Sequence, residues 1–284
     1  MAERTPTSLP RPLRIAAVVL AGLVLFSGFV YLGFPYDRLA PILAQRVEQA
    51  AGIDLRIGEI SASPHWLGPG IAFTGVRIQL ADGEAQTLTR LYVRPAWSFS
   101  WLLARPALAL DGESPAGSLR GVLTLGPESS FAGRLSQVDL AALGLDQLAA
   151  GVSLDGSADL QLELSFGETG AEGPVSLVAH NGTLEHPSLP MAIPYEEIHG
   201  EFVLGGETAL HIGSLSIDSS LGRGAIDGSV GRATGAGGSP LDLQVEIAAV
   251  PAVQSVLRAQ GIRLAADGTT RFRLAGTTAR PTIQ

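Results

Sequence analysis

DLQLELSF, residues 159–166, puts Leu160, Leu162, Leu164 and Phe166 on one side of an extended chain and Asp159, Gln161, Glu163 and Ser165 on the other. Successive side chains of a strand point to opposite faces, so strict alternation marks a strand with one dry and one wet face. LDLQVEI (241–247) repeats the pattern, with Leu241, Leu243, Val245 and Ile247 against Asp242, Gln244 and Glu246. VRIQL (76–80) sets Val76, Ile78 and Leu80 against Arg77 and Gln79. One-sided strands are the habit of antiparallel sheets. Asp-Gly pairs at 82–83, 111–112, 155–156, 227–228 and 267–268 are expected to turn the chain between them. The glycine-rich GRATGAGGSP (231–240) reads as a flexible loop.

Sliding the chain by 112 residues lays VDLAALGLDQLAAGVSLDGSADLQL (138–162) on VPAVQSVLRAQGIRLAADGTTRFRL (250–274). Each copy reads as a short amphipathic helix, a strand, an Asp-Gly turn and a second strand, which predicts an internal duplication. A sheet with one apolar face must cover it. A few short helices are too little cover for so many strands, so the sheet is expected to curl into a groove, taco or incomplete barrel. The expected fold is mainly β, an N-terminal transmembrane helix followed by that curled antiparallel sheet with short helices. The eight residues Leu160, Leu162, Leu164, Phe166, Leu241, Leu243, Val245 and Ile247 are the candidate apolar lining. Their alternation is the same whether the face lines a groove or a closed core.

Ahead of the strands, IAAVVLAGLVLFSGFVYLGF (15–34) carries no charged side chain. At ~1.5 Å per residue it reaches ~30 Å, the hydrocarbon thickness of a bilayer. Arg11 and Arg14 precede it, with Arg4 further back, and Tyr31, Phe34 and Tyr36 form an aromatic collar at the far end. These interface anchors place residues 1–14 in the cytoplasm. A cleaved signal peptide is the competing reading, but its apolar region is only ~7–15 residues and ends in small residues. Here YLGFPYDRL (31–39) offers bulky ones. Residues 35–52 follow as a juxtamembrane segment, where Leu39, Ile42, Leu43 and Val47 have helical spacing between Asp37 and Gly52. Residues 53–284 are the β-rich domain.

The chain's net charge is −8, and because residues 1–14 contribute +2 the remainder carries −10. That excludes a basic footprint for nucleic acid on the exported part. With no cysteine there is neither a disulfide framework nor a thiolate metal site. His65, His180, His186, His199 and His211 show no ligand spacing, and His180 and His186 flank NGTLE in a turn-rich stretch. GRGAIDG (222–228) lacks the G-K-[ST] ending of a phosphate loop and reads as a hairpin turn followed by a strand. No nucleophile elbow and no carboxylate pair stands out. The sequence therefore reads as a non-enzyme without cofactor, metal or catalytic residues. Trp66 in HWLGPGIAF (65–73) reads as a plug at a sheet end. Trp97, Phe99 and Trp101 in RPAWSFSWLLARP (94–106) read as a connecting helix packed into the core, with a membrane-interface segment as the alternative.

LGFPYDRLAPILAQRVEQAAGIDLRIGEI (32–60), HWLGPGIAFTGVRIQLADG (65–83) and LTRLYVRPAWSFSWLL (88–103) resemble the type II secretion system protein N family. RFRLAGTTARPTI (271–283) is similar to the repeat endings of the wider AsmA-like group, whose repeats build apolar grooves in the bacterial envelope. The resemblance implies a bacterial inner-membrane protein with a periplasmic domain, an accessory of the type II secretion apparatus whose partners are other secretion-system subunits. The alternative is an AsmA-like lipid-binding or lipid-transfer protein that takes phospholipid into its β-groove. The resemblance supplies no catalytic residue.

Overall fold

The structure is a computed structural model that describes residues 11–42, 44–45, 54–64, 68–79, 86–96, 105–143, 153–167, 170–185, 192–206, 208–232, 238–259, 264–278 and 280–284. Asp82-Gly83, Trp66, Trp97, Phe99, Trp101, His65, His186 and Leu80 lie outside the described residues, as do 46–52 and 144–150 of the two expected helices.

A helix, Arg11–Gly33, is followed by a 3-10 turn, Tyr36–Arg38, and by helical residues 39–42 and 44–45. The helix starts four residues earlier than residue 15, so Arg11 and Arg14 sit within its first turns. From Leu20 to Leu32 its large apolar side chains are exposed, up to 79% for Phe29, while Tyr31 is half-buried. Among the described residues no single helix is long and apolar enough to cross a membrane. Leu20–Gly33 and Tyr36–Ile42 meet that composition only as a pair, bent by 56°. Pro35 stands at the bend, where the chain has left helical dihedrals.

The rest is one antiparallel sheet of 16 strands among the described residues. They are β1 (Asp54–Arg56), β2 (Glu59–Ala62), β3 (Ile71–Gln79), β4 (Gln86–Pro95), β5 (Ala107–Ser114), β6 (Gly117–Thr124), β7 (Ser129–Asp139), β8 (Ser153–Leu154), β9 (Ser157–Gly167), β10 (Gly170–Glu185), β11 (Ile193–Leu204), β12 (Leu210–Ser219), β13 (Gly222–Val230), β14 (Pro240–Ala249), β15 (Thr269–Thr277) and β16 (Arg280–Ile283). Order in the sheet follows order in the chain from β3 to β16, except that the short β8 stands aside on β10 and β7 pairs directly with β9. β1 and β16 are its two ends, so the sheet does not close on itself.

Two of the expected Asp-Gly turns are interior strand positions instead. Asp111-Gly112 lies within β5 and Asp227-Gly228 within β13. The pair satisfies the wet/dry alternation: Asp111 points outward to Arg120 at 3.4 Å, while Gly112 is buried inward between Leu91 and Leu119. At Gly228, with φ +137°, an added Cβ would stand 2.1 Å from the Asp242 carbonyl oxygen, so only glycine fits. The chain turns instead at Pro115-Ala116 and Ser220-Leu221, so GRGAIDG is strand throughout and the hairpin turn comes just before it. His180 and NGTLE likewise run inside β10, with Asn181 at φ +50° between the paired His180 and Gly182, not in a turn-rich stretch.

Asp155-Gly156 and Asp267-Gly268 do turn the chain. β9 starts at Ser157 and β15 at Thr269, 112 residues apart, each just after its Asp-Gly. In the first copy the Gly156 N–H donates to Asp155 Oδ1 (2.7 Å); in the second the Thr269 N–H donates to Asp267 Oδ1 (3.0 Å). The helix of the second copy is Pro251–Ala259, and the first shows a 3-10 turn, Ala141–Leu143. Of the strand expected ahead of each turn, the described residues show β8, Ser153–Leu154, in the first copy. In the second none is present among the described residues 264–268.

Candidate functional site: one apolar face across the sheet

Residues directly opposite each other in an antiparallel pair share a face. Following the register strand by strand gives one unbroken row: Phe73, Leu91, Gly112, Leu119, Leu135, Leu160, Leu177, Gly200, Leu215, Ile226, Val245, Phe272. A second row beside it runs Ile71, Val93, Leu110, Gly121, Gly133, Leu162, Val175, Phe202, Ile212, Gly228, Leu243, Leu274, Ile283. Neither contains a polar side chain. The second crosses 13 strands, roughly 60 Å at ~4.8 Å per strand.

The expected lining residues fall on this face together. Leu160 shares a row with Val245, and Leu162 shares one with Leu243, five strand steps apart. Leu164 and Leu241 lie on the flanking side, opposite Phe131 and Val230, and Ile247 lies opposite Gly224 on the other flank. Seven of the eight are half-buried; Phe166, at the rim, is 41% exposed. No large side chain among the described residues is fully buried. The face is therefore partly shielded without being packed shut.

Among the described residues one cluster of buried side chains packs together, along one margin. Ala158 (1% exposed) and Ala179 (0%) sit side by side there, covered by Leu140, Tyr195 and Ile198. The Tyr195 hydroxyl donates to the Asp155 carbonyl at 2.5 Å, and burial, then the nearby Asp155 carboxylate, pushes its pKa up. Tyr195 also forbids a side chain at Gly182, where a Cβ would stand 1.8 Å from the Asp155 carbonyl oxygen.

Elsewhere glycines set the depth of the face. The Phe131 ring lies over Gly121 and Gly133, and the Phe202 ring over Gly200, each within 2.7 Å of where a Cβ would be. These rings lie flat along the sheet because nothing stands beneath them. Sequence reading missed them: a glycine interrupts the apolar alternation it is counted by, and in EFVL (201–204) the outward Val203 hides the inward Phe202. A Phe two residues from a Gly in a strand was the available signal.

The opposite face carries the charge. Arg271 meets Glu246 at 2.9 Å, Arg273 meets Asp242 at 2.6 Å, and Arg223 meets Asp218 at 2.7 Å, all exposed. The Arg273 hydrogen bond holds the Asp242 carboxyl below the usual carboxylate range, and Thr269 does the same for Asp267. His199 Nε2 lies 3.1 Å and His180 Nδ1 3.7 Å from Glu197 Oε1. Among the described residues no group of three His, Asp or Glu is placed to hold a metal.

Tyr31, expected as an interface anchor, spends its hydroxyl on the sheet. It accepts from the N–H groups of Ser63 (3.1 Å) and Gly70 (2.9 Å) and donates to the Gly70 carbonyl. Tyr92 fastens the same corner, 2.5 Å from Ser63 Oγ and donating to the Ser63 carbonyl at 3.0 Å. Tyr36 donates to the Tyr31 carbonyl at 2.8 Å and stacks edge-on with Phe34, 5.1 Å between centroids. The N-terminal helix is thereby stitched to the sheet beside Ile71, where the second apolar row begins. Compared with known proteins, the chain matches no family model, no curated protein and no solved structure.

Proposed function

We propose that this chain is a membrane-anchored protein of the bacterial envelope that holds lipid acyl chains on the apolar face of a curled, open sheet. The observation that carries the reading is the pair of uninterrupted apolar rows over 12 and 13 strands, half-buried and edged by a closed margin. A flat sheet would leave that face wide open; twist and bulges curve a sheet, and the register breaks at Leu135/Val138, Glu201/Phe202 and Ile212/Leu215 support a curl. At ~25 cal/mol per Å² of apolar surface, exposing the rows to water is costly and covering them with acyl chain is favourable. The face is about twice as long as a bilayer's ~30 Å hydrocarbon core, so acyl chains fit end to end along it. Residues 15–34 cross the inner membrane with the N-terminus in the cytoplasm, and the sheet stands in the periplasm. The test reconstitutes the full chain in vesicles holding a phospholipid with a photoactivatable acyl chain. Adducts are expected on inward residues such as Phe202 and Phe272 and not on outward Arg120 or Glu246. Adducts confined to the N-terminal helix overturn the groove.

A second reading, an accessory subunit of the type II secretion apparatus, rests on the resemblance of 32–60, 65–83 and 88–103. Tyr36, Gly70 and Tyr92, which lie in those segments, join Tyr31 in the helix–sheet junction, a place where a partner subunit would feel both. Cells lacking the chain should then secrete poorly; secretion at the normal rate removes this reading.

A further inference from the structure

Neighbouring strands from β3 to β16 run antiparallel, so the sheet has two margins of strand ends. β3 starts at Ile71, β4 ends at Pro95, β5 starts at Ala107 and β6 ends at Thr124, all on one margin. The Tyr31 hydroxyl accepts from the N–H groups of Ser63 and Gly70, which lie between β2 and β3, so the N-terminal helix joins the sheet on this same margin. The packed cluster of Leu140 and Tyr195 is on the opposite one. The two margins differ in charge. Among the described residues in the loops and at the strand termini from β3 to β16, the helix margin carries Arg105, Arg232 and Arg280 against Glu128. The far margin carries Asp139, Asp155, Glu185 and Asp267 against Arg258.

Leu125, one residue past β6, is 37% exposed on the helix margin. RPAWSFSWLLARP has its described ends there too, the Ala96 N–H donating to the Ala107 carbonyl at 2.8 Å and Arg105 pairing with Glu128 at 3.4 Å. The apolar face reaches this margin through Leu108, Leu123 and Phe131, which lie directly opposite one another on β5, β6 and β7. At the other end of β5 and β6 the same face finishes in Ser114 and Gly117, the Ser114 hydroxyl donating to the Gly117 carbonyl at 3.1 Å. We infer that the helix margin from β3 to β6 docks on the surface of the bilayer that holds the N-terminal helix, with Leu125 in the interface. The inference rests on the membrane-anchored reading of that helix. Continuity selects the occupant: Tyr31 is in the helix's last turn, so a margin hydrogen-bonded to it is held at the depth where the helix leaves the hydrocarbon. Charge agrees, since anionic headgroups repel the acidic margin and not this one. An acyl chain then passes from the bilayer over Leu108 and Leu123 onto the face without crossing a polar side chain.

The chain has no cysteine, so a single introduced one can be labelled. Arg105→Cys, Leu125→Cys and Pro115→Cys each carry the polarity-sensitive fluorophore NBD in the full chain, reconstituted in phosphatidylcholine–phosphatidylglycerol vesicles. Pro115 lies in the turn at the far end of β5 and β6, strands of 8 residues, and so stands roughly 27 Å from the helix margin at ~3.4 Å per residue. Emission from 105 and 125 is expected to shift to the blue and to be lost to doxyl-labelled lipid, while emission from 115 is lost to aqueous iodide. Docking is overturned if the chain floats with the vesicles and 105 and 125 are lost to iodide as readily as 115, or if 115 is the one lost to lipid. A chain that does not float with the vesicles lacks its anchor and overturns the docking with it. Acyl-chain adducts on Phe202 and Phe272, read separately, report the groove whichever way the labels fall.

Discussion

Leu162→Glu separates an open apolar face from a closed core. Leu162 is half-buried, between Gly133 on β7 and Val175 on β10. Full burial of a leucine stabilises by about 1.5–3 kcal/mol, so a half-buried one contributes about 1. A half-buried position leaves the carboxylate in reach of water, and the empty protein should lose only about 1–2 kcal/mol. For a chain of this size that is a fall of about 2–8 °C in melting temperature. With an acyl chain on the face the carboxylate is desolvated as well, at a cost of several kcal/mol. At 1.4 kcal/mol per factor of ten, lipid occupancy should drop about a hundredfold or more. The assay pairs thermal unfolding with photo-crosslinking of the acyl-labelled phospholipid, both on the full chain in vesicles. A variant that fails to fold, or melts more than about 15 °C lower, has buried its charge in a packed core and refutes the open face. A variant that folds and crosslinks like the parent refutes lipid binding there.

Tyr195→Phe leaves the buried end of the Asp155 carbonyl contact unmade and should destabilise by about 1–2 kcal/mol in urea unfolding; an unchanged midpoint denies the 2.5 Å bond its role. Gly182→Ala, whose Cβ falls 1.8 Å from that carbonyl oxygen, should cost more than Tyr195→Phe, and a smaller loss would mean that the backbone around Gly182 relaxes freely. Tyr31→Phe removes the acceptor of the Ser63 and Gly70 N–H groups and should speed tryptic cleavage after Arg38, measured as a time course; an unchanged rate means the stitch does not restrain the junction. The Asp242 and Asp267 carboxyls have folded-state pKa values held below their unfolded ones, so their contribution to stability is present above the ordinary carboxylate value, ~3.9, and lost as pH falls through the lowered one. Asp242→Asn should therefore flatten the fall in melting temperature on the acid side, and a curve parallel to the parent's would discount the Arg273 contact.

Local chemistry told the strands from everything else. In 159–166 and 241–247 the alternation is carried by adjacent residues, and the pleat alone turns it into a wet and a dry face, so these strands and their inward residues follow without any neighbour. The Asp-Gly turns at 155–156 and 267–268 are local in the same way, each closed by its own aspartate. Asp111-Gly112 and Asp227-Gly228 look identical in sequence and yet lie inside strands, because what separates turn from strand there is a partner strand tens of residues away. The same holds for the inward glycines: Gly121, Gly133 and Gly200 count as gaps until Phe131 and Phe202 lie across them.

What the tertiary structure alone decided is register. Alternation says that Leu162 and Leu243 each point to a dry face, but only the pairing through Val175, Phe202, Ile212 and Gly228 puts them in one row. Register also set Arg120 opposite Arg134 while matching Glu246 to Arg271. A slip of one residue would turn every side chain to the other face. The sequence by itself therefore determined which side chains want shelter, and long-range hydrogen bonding determined that they share it.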